Sequence, residues 1–454
     1  MARCIVLLIV LLSFFACAAA TKHAGAPTET PAVASQAGAN LIGFDRSKPD
    51  GGWERWSPRP ELAPMCAFAS GEGGAPSLTV SGGGKQHVFG GWRREVGGLE
   101  EGQGYRFSGY VAATGVDNLR LNVTCRIRWT GRDLSNDVSC AYVTDFGKSE
   151  SGIVPFAQVF TAPKATTGAF VELLIDQAPA AEVTFAGVAL EKADAPKPRP
   201  VTVATVYWRP KERSTAAKNV VAFSALMDKA AASHPDVILL PEAINSIGTG
   251  TTTPQSAEPL DGPTFKALAA KAAECACYVI YGAYEKTGDI LYNSAVIIDR
   301  KGLLAGVYHK VQLPESEEDG ALTPGDSYRT FDLDFGRIGI LICYDTAFPE
   351  PARVEALDGA EVIFVPIWGG DVAQLKTRAM DNAVWVVTSG YDVASMVIDP
   401  NGEVLASTWK DQGDGVVVQK IDLSQEFRRP YTGEWRNLVA KQRRTDAYGP
   451  VTEK

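Results

Sequence analysis

The sequence predicts an α/β domain preceded by a separate all-β domain. Residues 40–192 are glycine-rich and lack long helical periodicity, which favours a β-sandwich. From residue 201 to the end at 454, short apolar segments alternate with amphipathic ones, as they do in βαβ units. A proline-rich stretch, residues 193–200, separates the two regions and is predicted to be a semi-rigid linker.

Length and composition agree with two globular domains. The chain has 454 residues, of which 45% are hydrophobic, and this is more than one ordinary domain requires. The net charge is -9 and is spread along the chain rather than concentrated in blocks. Such a charge argues against nucleic acid as a partner.

Residues 1–20 have the pattern of an export signal. Arg3 supplies the positive start, residues 5–15 the apolar segment and residues 18–20 a small-residue cleavage site. We therefore expect a secreted or periplasmic protein. Cys17 lies in a segment that resembles a bacterial lipoprotein cleavage box, so a lipid anchor at this residue is the alternative. Residues 21–39 are rich in Ala, Thr, Pro and Gly and are predicted to be a disordered tether.

The clearest strand signal in the first domain is the segment from Leu119 to Trp129. Its apolar residues occupy every odd position, which predicts a half-buried strand. Weaker runs of the same kind occur at 105–111, 138–143, 169–175 and 183–190.

The first domain also contains Trp53, Trp56, Trp92 and Trp129. Its composition resembles jelly-roll modules that bind carbohydrate, in which exposed aromatic rings stack on sugars. That resemblance implies a glycan as a partner. The alternative is that these rings are buried, because large aromatic side chains are mostly buried in proteins.

Six cysteines lie outside the predicted signal, and their spacings match no zinc site, so no metal is predicted. Cys125 and Cys140 are both predicted to face inward on successive strands. In an oxidising compartment they form either a cross-strand disulfide or two buried thiols.

In the α/β domain, three polar residues accompany predicted strands. Glu242 follows the strand 237–240, Cys343 ends the apolar run that starts at Gly339, and Lys310 lies in the middle of the strand 306–313. Functional residues of α/β sheets cluster at the carboxyl ends of strands. Taken singly, such a cysteine is more often a small buried hydrophobe. The remaining elements are predicted as strands at 201–207, 236–240, 278–284, 294–298 and 361–366 and helices at 216–233 and 265–275.

Together these motifs resemble the nitrilase superfamily of carbon-nitrogen hydrolases. The matching segments, in family order, are Leu239-Leu240-Pro241-Glu242, Tyr308-His309-Lys310, Ile342-Cys343-Tyr344-Asp345 and Phe348-Pro349-Glu350. The similarity runs from about 201 to 423, and we assign residues 201–454 to this domain. Two departures concern the pocket wall: Tyr207 stands where glutamine is common, and Asp381 replaces a glutamate.

The resemblance implies a four-layer αββα sandwich that pairs into homodimers and uses no cofactor. It also implies that Cys343 is the nucleophile and Glu242 the acid-base, with Lys310 and the backbone amide of Tyr344 holding the oxyanion. A second family glutamate precedes the turn 324–326, where Glu318 is the best match. Glu315 and Glu317 are close rivals. Trp368 is predicted either to narrow the substrate pocket or to be a core residue.

The function expected from this resemblance is that of an amidase acting on a small carboxamide or N-acyl amine. The sequence Cys343-Tyr344-Asp345 favours the amidase branch, with a nitrilase or N-carbamoyl hydrolase as alternatives. A Cys–His thiol hydrolase would have to use His309. Neighbours in a strand face opposite sides, so His309 and Lys310 cannot both point at Cys343. An alternative of another class is a non-catalytic binding protein on a retained scaffold.

Overall fold

The computed structural model of the chain describes residues 39–45, 47–69, 76–132, 140–409, 415–429, 433–444 and 447–452. The predicted signal peptide, residues 1–20, and all of the predicted tether except residue 39 lie outside these ranges. Within the described ranges, no helix is both long enough and apolar enough to cross a membrane.

The first domain is a sandwich of two five-stranded sheets, as predicted. One sheet has the strand order β1-β4-β9-β6-β7 and the other β2-β3-β10-β5-β8. Phe107, Ile127 and Phe185 belong to the apolar core of this domain and are fully buried. The strands are β1 (Glu54–Trp56), β2 (Met65–Ala69), β3 (Ser77–Ser81), β4 (Phe89–Gly97), β5 (Gly104–Thr114), β6 (Val123–Gly131), β7 (Cys140–Tyr142), β8 (Ile153–Thr161), β9 (Thr166–Asp176) and β10 (Glu182–Ala193).

The predicted strand 119–129 is wrong over its first four residues. Leu119–Asn122 forms a short helix, α1, and the strand begins only at Val123. Asn118 caps this helix because its side-chain oxygen accepts from Leu121 N at 3.2 Å. The alternation of apolar residues continues through both elements, so the cap is the only local signal that separates them.

Three of the four tryptophans are core residues. Trp53, Trp92 and Trp129 are 3%, 0% and 1% exposed. Trp56 is half-buried, with the guanidinium groups of Arg93 and Arg128 over its ring at 5.4 and 5.6 Å. The structure thus agrees with the buried alternative for these rings rather than with an exposed sugar-stacking set.

Cys125 and Cys140 lie on opposite faces of their sheet, so the prediction that both face inward is wrong. Cys140 pairs with Arg128, three positions from Cys125, and an odd offset places the two side chains on different faces. Cys125 belongs to the sandwich core, whereas Cys140 packs against Leu438 near the C-terminus. The two cysteines do not form a disulfide with each other.

The second domain contains two six-stranded sheets. The first has the order β15-β14-β13-β12-β11-β22 and the second runs from β16 to β21 in sequence. The first comprises β11 (Pro200–Val206), β12 (Val237–Leu239), β13 (Tyr278–Thr287), β14 (Ile290–Ile298), β15 (Leu304–His309) and β22 (Val416–Asp422), and the second β16 (Thr330–Leu333), β17 (Gly336–Ile340), β18 (Val362–Pro366), β19 (Trp385–Ser389), β20 (Ser395–Ile398) and β21 (Val404–Thr408).

Helices cover the outer faces of both sheets, which gives the predicted αββα layers. Val237 and Leu239 of β12 enter the core between the sheets, whereas Ile238 and Leu240 belong to the cluster beneath α2 and α4. Phe364 and Ile363 of β18 divide in the same way between the central core and the cluster beneath α6 and α7. Full burial of one such side chain contributes about 1.5–3 kcal/mol. The helices are α2 (Ala216–Ala231), α3 (Thr253–Ser256), α4 (Pro263–Cys275), α5 (Glu315–Glu318), α6 (Pro349–Leu357) and α7 (Val372–Asn382).

The two sheets are fastened to each other at the carboxyl ends of their parallel strands. Thr205 Oγ1 donates to Thr388 O at 2.6 Å, and Ser389 Oγ donates to Val206 O at 2.6 Å. All four polar groups are buried. The edge at which the loops after β11 and β19 emerge is therefore fixed by hydrogen bonds across the central layer.

The C-terminal segment contacts both domains. It contains β23 (Arg428–Arg429), β24 (Gly433–Glu434) and α8 (Trp435–Lys441). Trp435 Nε1 donates to Met380 O on α7 at 2.6 Å. At the other end of α8, Lys441 Nζ donates to the carbonyl oxygens of Leu121 at 3.0 Å and Val123 at 2.8 Å. Burial lowers the pKa of Lys441 to about 8.

Candidate active site

Glu242 lies beyond the carboxyl end of β12, as predicted. The residue is 2% exposed. Gly282 of the neighbouring strand approaches it so closely that a Cβ there would come within 2.5 Å of Glu242 Cα. The main-chain carbonyl of Glu242 accepts from Tyr391 Oη of the other sheet at 2.9 Å. Both sheets therefore fix the position of this carboxylate.

Lys310 follows directly after β15 and is buried between two carboxylates. Its Nζ lies 3.1 Å from Glu242 Oε1 and 2.8 Å from Glu317 Oε2, and the residue is 1% exposed. Burial disfavours the ammonium, but Glu242, Cys343 and Glu317 together raise the pKa of Lys310. The predicted strand 306–313 ends early, because after His309 the chain turns and the Lys310 carbonyl accepts from Gly325 N at 2.8 Å.

The glutamate that contacts Lys310 is Glu317, so the preference for Glu318 is wrong. Both residues lie in the short helix α5, where adjacent side chains point about 100° apart. Glu317 turns inward with a side chain that is 13% exposed, and burial raises its pKa. Glu318 and Glu315 are exposed.

Asn293 of β14 binds both carboxylates, a role that the sequence does not predict although its triplet belongs to the family match. Its Nδ2 donates to Glu242 Oε1 at 2.7 Å and to Glu317 Oε1 at 2.8 Å. The residue is 0% exposed. A polar residue at an inward position of an apolar strand was the available signal, within the triplet Tyr292-Asn293-Ser294.

Cys343 lies three residues beyond the end of β17, at the start of a 3-10 helix, Cys343–Ala347. Its φ of +43° is in the left-handed region, which non-glycine residues seldom adopt. Its Sγ lies 3.5 Å from Gly369 O. Burial and the nearby Glu242 raise the pKa of Cys343 to about 12, against the attraction of Lys310. The resting sulfur is thus a thiol that needs a base.

The loops after β18 and β19 form one side of the site. Trp368 is half-buried and immediately precedes Gly369, and its ring meets Tyr391 edge-on with centroids 5.2 Å apart. The Arg209 guanidinium lies 6.0 Å from the centre of the Trp368 ring and forms an ion pair with Asp392. Trp368 packs against the apolar cluster beneath α2 and α4, and its role in the substrate pocket stays a prediction.

Tyr344 directs its side chain outward. It is 40% exposed and packs edge-on against Phe348 with centroids 5.4 Å apart. Its main-chain N–H is in the first turn of the 3-10 helix, where amides have no acceptor within the helix. The predicted oxyanion role rests on this amide and not on the phenol.

His309 faces away from the carboxylates of Glu242 and Glu317. Its Nε2 lies 3.0 Å from Glu285 Oε2, and its ring stacks on Tyr292 with centroids 3.9 Å apart. Lys310, the next residue, takes the opposite direction, as alternation along a strand requires. The structure gives no support to a Cys343–His309 pair.

The arrangement brings together a half-buried thiol that can act as nucleophile, a buried carboxylate that can act as base and a buried cation. Glu242 uses Oε1 to accept from Lys310 and Asn293. Its Oε2 is buried and has no hydrogen-bond partner among the described residues. This oxygen is free to take a proton.

The α/β domain is similar in sequence to known carbon-nitrogen hydrolases. The sequence profile of the carbon-nitrogen hydrolase family matches residues 202–429. An omega-amidase from Homo sapiens is 31% identical over 264 residues, which cover 52% of this chain and 93% of that protein. A nitrilase from Pyrococcus abyssi is 32% identical over 223 residues, which cover 45% of this chain and 84% of that protein.

Among solved structures, a carbon-nitrogen hydrolase from Helicobacter pylori is similar with a TM-score of 0.48 and 21% identity, covering 56% of this chain and 99% of that one. The profile match spans about half of the chain, and the omega-amidase is covered over nearly its whole length. The chain belongs to the carbon-nitrogen hydrolase family and is a hydrolase of carbon-nitrogen bonds.

Proposed function

We propose that the protein is an amidase that cleaves a small carboxamide or N-acyl amine through a thioester on Cys343. The observation that carries this proposal is the unpaired, buried Oε2 of Glu242. A buried carboxylate oxygen without a donor is unfavourable, so its presence beside a nucleophile suggests a group that receives protons during turnover.

In the first half-reaction, Glu242 takes the proton of the Cys343 thiol as sulfur attacks the amide carbon. The oxyanion that forms is stabilised by Lys310 and by the main-chain N–H of Tyr344. Loss of one such donor typically costs on the order of a hundred- to a thousandfold in rate. Glu242 then returns the proton to the leaving nitrogen as the C–N bond breaks, which leaves an acyl thioester.

In the second half-reaction, Glu242 takes a proton from water as the water oxygen attacks the thioester. Collapse of the intermediate breaks the C–S bond, and the proton passes to the cysteine sulfur. Lys310 keeps its positive charge throughout, because Glu242 and Glu317 hold its ammonium group at 3.1 and 2.8 Å. One carboxylate thus serves as base and acid in both halves.

The choice of an amide over a nitrile is supported by the segment Cys343-Tyr344-Asp345 and by the omega-amidase relatives. An amide also releases a nitrogen that must be protonated, which matches a single buried acid-base carboxylate. A nitrilase or an N-carbamoyl hydrolase would use the same group of residues. A non-catalytic scaffold would have no need to keep the buried charged side chains of Glu242 and Lys310.

The test is release of ammonia, or of the free amine from N-acyl amines, by purified protein supplied with amides, nitriles, ureido acids and N-acyl amines. We expect turnover of amides, its loss in Cys343→Ala, and wild-type rates in Cys275→Ala, a matched variant of another half-buried cysteine. Ammonia from a nitrile with the matching amide untouched would overturn the amidase assignment. No turnover of any compound would favour the scaffold.

We further propose that the enzyme is exported and acts outside the cytoplasm. The support is the sequence pattern of residues 1–20. Intact mass of the mature protein after expression with its own leader tests this. Cleavage near residue 20 supports secretion, a diacylglycerol mass on Cys17 supports the lipoprotein, and an uncleaved cytoplasmic chain refutes export.

We also propose that the sandwich domain binds a glycan, through Tyr110 instead of the tryptophans. Tyr110 is 52% exposed, and its ring lies on Gly187, where an added Cβ would be 3.1 Å from the ring. The ring borders a cavity of about 700 Å³ that is also lined by Glu150 and Thr184. Polysaccharide pull-down should fail for Tyr110→Ala and persist for Tyr110→Phe. Equal retention of both variants, or no retention of the wild type, would reject the site.

A homodimer formed through the hydrolase domain is a further proposal. It is supported by apolar side chains that remain exposed on α6 and α7: Val354 at 42%, Val372 at 38% and Met380 at 37%. Light scattering should give twice the chain mass for the wild type and a smaller mass for Val354→Glu. A monomeric wild type at micromolar concentration would reject the proposal.

A further inference from the structure

Asp345 is a motif residue whose carboxylate does not reach the reacting atoms in the scheme above. It is 0% exposed. Both of its oxygens accept hydrogen bonds: Oδ1 from Gln312 N at 2.8 Å, and Oδ2 from Ile342 N at 2.9 Å and Tyr308 Oη at 2.9 Å. A buried carboxylate with three donors is a fixed structural element and not a solvated side chain.

The donors come from the two segments that carry Lys310 and Cys343. Tyr308 and Gln312 stand two residues before and two residues after Lys310. Ile342 immediately precedes Cys343, and Asp345 itself follows two residues later. One carboxylate therefore connects the first sheet to the turn that presents the nucleophile.

The turn at Cys343 needs such a connection. The left-handed φ of Cys343 persists only where surrounding contacts hold it. Asp345 bonds the residue before the cysteine, and Thr346 Oγ1 donates to the Cys343 carbonyl at 2.7 Å. Arg378 Nε secures the far end of the turn by donating to Thr346 O at 3.1 Å.

We propose that Asp345 is a positioning residue that sets the placement of the Lys310 ammonium relative to the Cys343 sulfur, and that only its ionised form does so. This inference rests on the proposed amidase function. A protonated carboxyl presents a hydrogen in place of one acceptor, so one of the three donors would lose its partner. The two segments would then be held less firmly.

The charged and titratable groups that face Asp345 define its titration. Burial raises the pKa of Asp345 to about 6, although its three donors and the nearby Lys310 act in the opposite direction. Tyr308, Tyr328 and Glu355 also face it, and burial raises the pKa of each of them. At neutral pH the Asp345 carboxylate is thus ionised, and Lys310 is the cation that faces it. Turnover should decline as pH falls through about 6.

The test compares Asp345→Asn with Tyr308→Phe and with the surface control Asp332→Asn. In Asp345→Asn we expect kcat to fall between about tenfold and a hundredfold, which corresponds to losing one charge-assisted hydrogen bond. KM should change little, because Asp345 does not touch the substrate. The decline of kcat near pH 6 should also disappear in this variant, because asparagine does not titrate. In Tyr308→Phe a donor that lowers the Asp345 pKa is lost, so the acid limb should move to higher pH.

Iodoacetamide labelling of Cys343, followed by peptide mass, supplies a readout that does not depend on knowing the substrate. Slower labelling in Asp345→Asn than in Asp332→Asn, with unfolding temperatures matched, supports the proposal. An active wild type with unchanged kcat and pH profile in Asp345→Asn would overturn it. If Asp345→Asn does not fold, the proposal is overturned when kcat of Tyr308→Phe declines over the same acid pH range as kcat of the wild type. A wild type inactive on every amide would instead refute the proposed function.

Discussion

Replacing Glu317 by glutamine should slow the enzyme, and the same change at Glu318 should not. The Glu317 carboxylate lies 2.8 Å from Lys310 Nζ and shares Asn293 with Glu242. Once the charge of Glu317 is removed, Glu242 alone of the two carboxylates balances the positive charge of Lys310. Lys310 is then less firmly placed for the oxyanion.

The size of this effect follows from the contact that is lost. A hydrogen bond to a charged group contributes about 1.5–3 kcal/mol and a neutral one about 0.5–1.5 kcal/mol. The difference of about 1–1.5 kcal/mol corresponds to a loss of roughly five- to tenfold in kcat/KM. Alanine at Glu317 should cost more, because it leaves a buried cation with an unfilled space.

The assay is steady-state ammonia release with thermal unfolding of each variant measured in parallel. Glu318→Gln is the matched control, since the two residues are adjacent, chemically identical and differ in exposure. Equal losses in both variants would refute the assignment of Glu317 as the partner of Lys310. So would a larger loss in Glu318→Gln.

Three further predictions concern the same chain. Glu355 is fully buried, and burial raises its pKa well above the ordinary value. The folded state therefore keeps a proton that the unfolded chain releases above about pH 4.3, so the stability of the folded state falls as pH rises. Glu355→Gln should therefore raise the unfolding temperature by at least about 2 °C at pH 8 and have little effect near pH 4.5; an equal shift at both values would contradict this. Peptide mapping after alkylation under denaturing, non-reducing conditions should find Cys125 and Cys140 both alkylated, and a peptide pair linked by a disulfide between them would disprove the register described above. His309→Ala should keep activity within about threefold while Lys310→Ala abolishes it, and the reverse ranking in kcat/KM would restore the Cys–His mechanism.

The main residues of the candidate site could be located from the sequence because each lies in a motif beside an apolar strand. Glu242 and Cys343 follow buried strands, and Lys310 stands in a recognisable triplet. Their burial, hydrogen bonds and relative distances were not predictable, because these depend on the pairing of distant segments. Asn293 illustrates this, since its amide meets Glu317 only after β14 and α5 have been brought together.

The errors have local physical causes. Glu318 and Glu317 are indistinguishable by composition, and only the phase of α5 decides which one faces inward. The predicted strand 306–313 is too long at its carboxyl end. Apolar residues continue past His309, where the strand ends, into a turn. The face of Cys140 is predicted wrongly because the register that pairs it with Arg128 cannot be read from the alternation within either strand.

The central claim is that the acyl group of the substrate is carried as a thioester on Cys343. Partitioning of this intermediate between water and hydroxylamine tests the claim most directly. Several amides with the same acyl group and different amine leaving groups are hydrolysed in the presence of a fixed hydroxylamine concentration. A common acyl-enzyme predicts the same ratio of hydroxamate to acid from every amide, and an acyl adduct on the Cys343 peptide after acid quenching. A ratio that varies with the leaving group, with no adduct on that peptide, would contradict the thioester mechanism.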